Sequence, residues 1–127
     1  MITVLVKKQT NYAVSTPKIK KTLRDYFTAK GIVSEAEVSV FIVGEEKILE
    51  LGKKYLKDKR LHSVLSFTNE ESKPKFIYPP GTIYLGEIIV CYPEAVREAG
   101  REGKLIDGKI KELIEHSADH LLGIHHE

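Results

Sequence analysis

Four of the chain's five histidines, His116, His120, His125 and His126, fall within its last twelve residues. His116 and His120 are four apart, so on a helix they are neighbours on one face. Two imidazoles one turn apart can both reach a single metal ion. Gly123 then lets the chain turn back, and His125 or His126 supplies a third nitrogen. Three protein ligands with one position left open are the arrangement of a catalytic zinc rather than a structural one. The same imidazoles also suit nickel or copper. The glutamate of the H-E-x-x-H metalloprotease motif is absent, because Ser117 stands in its place. The plain alternative for each histidine is a polar group at the edge of an apolar stripe.

A helix over 106–122, stopped by Gly123, must present this pair. On a wheel of about 100° per residue, Ile106, Ile110, Leu113, Ile114 and Leu121 form one stripe, with Ser117 inside it. His116 and His120 fall beside the stripe, in a half-buried position at the edge of the core. Upstream, "ITVLV" at 2–6, "AEVSVFIVG" at 36–44 and "SVLSFTN" at 63–69 read as strands. "TIYLGEIIVCY" at 82–92 is a fourth strand, and its internal glycine marks a bulge or a close backbone approach. "STPKIKKTLRDYFTAKG" is an amphipathic helix with a Ser15 or Thr16 cap and Pro17 in its first turn. "EEKILELGKKYL" at 45–56 runs from acidic to basic, as a helix dipole favours, although Gly52 weakens it. A short helix opens at Pro93, and residues 70–81 form a polar, proline-rich surface loop. The order β-α-β-α-β-β-α-α predicts an α+β fold: one domain over 1–127, with a mixed four-stranded sheet and flanking helices.

The 127 residues suit one domain, and 42% hydrophobic residues supply its core. Charged residues make up 30%, which argues against disorder. No run approaches the roughly 18–20 apolar residues that span a bilayer, and the N-terminus lacks a signal-peptide pattern. The single cysteine, Cys91, lies in an apolar strand and reads as core; without an internal disulfide the chain fits a reducing cytoplasm. No Walker loop or G-x-G-x-x-G pattern occurs. The net charge of +2 is small, so its distribution matters more than its total. Lys53, Lys54, Lys57, Lys59 and Arg60 cluster around Tyr55, and Lys18, Lys20 and Lys21 form a second group.

"HSADHLLGIHH" resembles the C-terminal signature of the YbeY family of rRNA maturation factors, roughly H-G-x-L-H-L-x-G-Y-D-H. His116, His120 and His126 fall on its three metal ligands, with Leu121 and Gly123 also matching. "YLKDKRLHSVLSF" (55–67) and "YLGEIIVCYPEA" (84–95) resemble the family's V-L-S-F and L-G-D-I-V-I blocks, in the family's order. The resemblance implies a metal-dependent endoribonuclease acting in rRNA maturation and ribosome biogenesis. Implied with it are a zincin-like metal site on the C-terminal helix, one Zn2+, and single-stranded RNA of the small ribosomal subunit as substrate. It selects His126 as third ligand and places His125 and Ser66 beside the ligands. By the same route Glu87 becomes a catalytic residue, while Arg60, near but not in register with the family's arginine, is its expected catalytic substitute; the clustered charges of Lys53, Lys54, Lys57 and Lys59 make them the expected RNA contacts.

Several positions depart from the pattern. Ser117 replaces a glycine, Asp119 an apolar residue, His125 an aspartate, Glu87 an aspartate and Gly52 an asparagine. Leu56 stands where the family has an important arginine beside Tyr55. An arginine pairs with phosphate and leucine cannot, which bears on catalytic efficiency more than on metal binding. Two other readings remain: a ribosome-associated RNA-binding factor with a structural metal, and a metallohydrolase of another substrate such as a peptide.

Overall fold

The computed structural model describes residues 1–71 and 81–123. Its elements are β1 (Ile2–Lys8), α1 (Thr16–Ala29), β2 (Glu35–Val43), α2 (Glu45–Leu51), β3 (Val64–Thr68), β4 (Thr82–Cys91), α3 (Tyr92–Glu102) and α4 (Ile106–Leu121). The expected order of strands and helices is the one found. The sheet runs β1-β2-β4-β3. β2 pairs with β1 and with β4 in parallel, while β3 is antiparallel to β4, which makes the sheet mixed. Central position explains the valine-rich run of β2: Val38, Val40 and Ile42 are fully buried.

Helices cover both faces. Against one face pack α1 and α4, through Leu23, Phe27, Ile114 and Ala118 onto Val40 and Ile88. Against the other packs α2, whose Ile48 joins Val43, Leu65, Phe67, Ile89 and Cys91. Cys91 is buried as expected, and burial pushes its thiol pKa up. Ser15 caps α1 by accepting the Lys18 N–H at 3.3 Å, with Pro17 in the first turn. No helix of the described residues is long and apolar enough to cross a membrane.

The expected single helix over 45–56 is divided. The α-helix ends at Leu51, and Gly52–Leu56 widens into a π-helical segment closed by Lys57, whose φ of 57° is left-handed. The cause is tertiary. A Cβ on Gly52 would lie 3.2 Å from Asp58 Oδ1 and 3.6 Å from His62 Cδ2, so the missing side chain makes room for the returning segment 58–62.

Gly86 meets both meanings predicted for a glycine inside β4. The register shifts beside it: Glu37 pairs with Tyr84 and Val38 with Gly86, leaving Leu85 as the extra residue of a bulge. Its φ is 141°, and a Cβ there would lie 2.2 Å from the Phe67 carbonyl oxygen and 2.7 Å from Leu121 Cδ2. The last turn of α4 therefore closes directly on β3 and β4. Two further contacts hold α4 in place. Lys109, only 4% exposed, brings its Nζ to Glu98 (3.4 Å), Glu102 (3.0 Å) and Glu112 (3.2 Å), tying α4 to α3. The Tyr26 hydroxyl of α1 donates to the buried Asp119 carboxylate at 2.5 Å, which raises the Tyr26 pKa to about 12.

Candidate functional site

The stripe expected on α4 faces the core: Ile110, Leu113, Ile114 and Leu121 are buried with Ser117 among them, while Ile106 in the first turn is half-buried. His116 and His120 are exposed rather than half-buried. Packing against the sheet and α1 takes up the flank around Ala118 and Asp119 as well as the stripe, and the two histidines are left on the open side.

His120 Nε2 lies 3.1 Å from Glu71 Oε1. Glu71 belongs to the turn that ends β3. Its Oε1 also accepts the Thr68 N–H at 2.8 Å, and its own N–H donates to the Thr68 carbonyl at 3.0 Å. Those bonds fix the carboxylate in front of the imidazole. Partial burial pushes the Glu71 carboxyl up, but the bonds from the Thr68 N–H and from His120 outweigh it and hold the group below its ordinary value. Glu71 was not expected from the sequence, because its partner lies 49 residues away across a loop.

For a metal ion, this face offers two imidazoles one turn apart with a carboxylate against one of them. Nitrogen donors of this kind suit zinc. A carboxylate on the ring is the partner that metal-ligating histidines commonly have. His125 and His126 lie outside the described residues, and among the described residues no group of three or more His, Cys, Asp or Glu is gathered as a metal site.

The remaining predicted residues divide between the two faces of the sheet. Ser66 pairs with Ile88 on β4 and shares its face, so it points towards the α4 side. Glu87 pairs with Phe67 and alternates with Ile88, which places its side chain on the α2 side with Tyr55, Phe67 and Ile89. A catalytic carboxylate was expected at Glu87; strand parity turns it away from the helix that carries the histidines. Lys53, Lys54, Lys57, Lys59 and Arg60 are all exposed on the same α2 side, in the π-helical segment and the turn after it. Lys18 and Lys21 of the second basic group are engaged by Asp107 at 2.9 Å and Asp25 at 2.7 Å. Leu56 is 47% exposed beside Tyr55. His62 bonds Asp58 at 3.0 and 3.1 Å, and that hydrogen bond holds the Asp58 carboxyl below its ordinary value.

Solved structures contain this arrangement of elements. A Thermotoga maritima protein determined in solution matches with a TM-score of 0.61 at 22% identity, over 100% of this chain and 75% of that one. That likeness defines the fold. Sequence relatives define the family. Endoribonuclease YbeY of Dehalococcoides mccartyi strain BAV1 is 34% identical over 135 residues, covering 99% of this chain and 84% of its own length. The Moorella thermoacetica relative of the same name is 36% identical over 112 residues, covering 86% of this chain and 72% of its own length. That of Aquifex aeolicus is 34% identical over 124 residues, covering 98% and 77%. The profile described as Endoribonuclease YbeY matches residues 5–127. The chain belongs to the endoribonuclease YbeY family.

Proposed function

We propose that residues 1–127 form a zinc-dependent endoribonuclease specific for single-stranded RNA. Its substrate is 16S rRNA near the 3′ end, and its setting is ribosome biogenesis in the cytoplasm. The observation that carries this reading is the exposed pair His116 and His120 on the last turns of α4, with the Glu71 carboxylate 3.1 Å from the second ring. His116, His120 and His126 would hold one zinc ion. When bound, such an ion would lower the pKa of its water to about 7 and polarise a phosphoryl oxygen. Glu71 orients the His120 ring, and Ser66, on the face towards α4, would serve beside the ligands. His125, the residue before His126 in sequence, would serve beside the third ligand.

The basic segment 53–60 supports RNA as the substrate. β3 lies at one edge of the described sheet, with α4 on one face and the basic segment on the other. Lys53, Lys54, Lys57, Lys59 and Arg60 thus flank the same edge as the histidines and offer phosphate contacts to a strand wrapped around it. Arg60 approaches phosphate in place of the guanidinium absent at Leu56. Glu87, on the far face, serves substrate binding better than proton transfer at the metal.

A second reading is favoured by one observation. Exposed Leu56 presents no cation where the family pattern has arginine, so a non-catalytic RNA-binding factor with a structural metal fits this chain too. Incubating zinc-loaded protein with single-stranded RNA, duplex RNA and a peptide decides between them. Cleavage of single strands alone supports the nuclease. Salt-sensitive RNA binding without cleavage supports the second reading, and peptide cleavage overturns both.

A further inference from the structure

On the α2 face of the sheet lies a cavity of about 240 Å3, walled by Phe41, Leu51, Tyr55 and Phe67, with Lys47 and Glu87 as its charged groups among the described residues. It is smaller than the roughly 300–1,000 Å3 of sites for drug-sized ligands, so it suits a single flat ring system. We propose that this cavity is a subsite for one unpaired nucleobase bearing an exocyclic amino group, taken from the RNA strand whose phosphates meet segment 53–60. The inference rests on the RNA-cleaving reading and adds a base preference to it.

Three observations point to this occupant. The walls are aromatic, with the Tyr55 and Phe67 rings 5.0 Å apart between centroids and tilted by 51°. Aromatic walls bind the π-faces of unstacked bases. The cations are adjacent: Lys54 Nζ lies 5.2 Å from the Tyr55 ring centroid, and Lys53 and Lys57 lie in the same segment. A base in the cavity therefore carries its phosphates into positive charge, whereas a neutral apolar ligand would gain nothing from it. The third is Glu87. A carboxylate accepts from an amino group such as N4 of cytosine, while the carbonyl oxygens of uracil face it unfavourably.

Position connects the cavity to the histidines. Phe67 lines it, and the next residue, Thr68, bonds the Glu71 that touches His120. The subsite and the histidine pair thus lie at the same end of the edge strand β3, on its two faces. A strand of RNA turning around that edge occupies both.

The test measures binding by fluorescence anisotropy, in chelator so that cleavage does not intervene. The probes are short fluorescent oligouridines carrying one central cytidine, uridine or abasic site. The expected result is that the cytidine probe binds about tenfold more tightly than the abasic one, the usual contribution of one stacked base, with uridine between them. Glu87→Gln erases the difference between cytidine and uridine. Tyr55→Leu, which keeps an apolar side chain, brings both close to the abasic probe. Equal affinity of the wild-type chain for all three probes overturns the subsite, and so do E87Q and Y55L variants that keep the wild-type preference. In either case salt-sensitive RNA binding and cleavage would survive, so the nuclease reading would stand. Failure to bind any probe overturns both. The three-probe comparison is made on the wild-type chain, so its outcome is independent of how a variant folds.

Discussion

Glu71 and His120 are joined at 3.1 Å, which ties the turn after β3 to the last turn of α4. A carboxylate held in this way fixes the orientation of a ligating imidazole, and loss of such a partner typically costs 10–100-fold in metal affinity. Glu71→Ala is expected to weaken zinc binding by about that factor, measured by competition with a chromophoric chelator. Unchanged affinity would reduce Glu71 to an incidental surface partner.

Gly86 is the point where α4 meets the sheet. A Cβ there would overlap the Phe67 carbonyl and Leu121, and the φ of 141° is one that other residues rarely adopt. Gly86→Ala is expected to destabilise the chain by at least about 2 kcal/mol, within the range of severe single substitutions. Urea unfolding reads this directly. A midpoint equal to wild type would contradict the close approach.

Lys109 supplies a pH dependence. Burial alone would lower its pKa, but Glu102, Glu112 and Glu98 together raise it; in turn Lys109 and then Lys104 hold Glu102, and Lys104 and then Lys109 hold Glu112, below the ordinary carboxylate value. A depressed carboxylate contributes stability above its unfolded pKa of about 4.3, and that stability is lost as pH falls through the lower folded value. Lys109→Met removes the cation that the cluster surrounds. Thermal unfolding from pH 7 to 3 is expected to show a steep acid limb in wild type and a flatter one in K109M, with K109M already less stable at pH 7. Parallel curves would show that the cluster contributes nothing.

Leu56 is exposed beside Tyr55, so a longer polar side chain fits without repacking. Leu56→Arg restores a phosphate partner. It is expected to raise kcat/KM on single-stranded RNA about tenfold, the worth of one charge-assisted hydrogen bond. No change would mean that Arg60 or a neighbouring lysine already fills the role.

The elements were readable in the sequence wherever local pattern and tertiary packing agree. The valine alternation of β2, the Ser15–Pro17 start of α1 and the stripe of α4 each bury the side they advertise. Gly52 was readable only as a weakness; the π-helical segment that it permits depends on Asp58 and His62 packing onto it, a contact that composition does not reveal. Strand parity within "SVLSF" and "LGEI" separates Ser66 from Glu87, but only once β3 is known to pair antiparallel with β4 in the register Phe67–Glu87. His116 and His120 were visible by spacing. Their exposure was not, because the Tyr26–Asp119 bond that draws one flank of α4 towards α1 joins residues 93 apart.

Three imidazoles sharing one ion are the centre of the proposed site. Its most direct test is the metal content of tag-free protein purified without added metal, for the wild-type chain and for His116→Ala, His120→Ala, His125→Ala and His126→Ala, with RNA cleavage assayed on each. One equivalent of zinc in wild type and in H125A is expected, with metal and cleavage both lost in H116A, H120A and H126A. Full zinc occupancy and cleavage in H116A or H120A would contradict it, as would loss of metal in H125A with retention in H126A for the choice of third ligand.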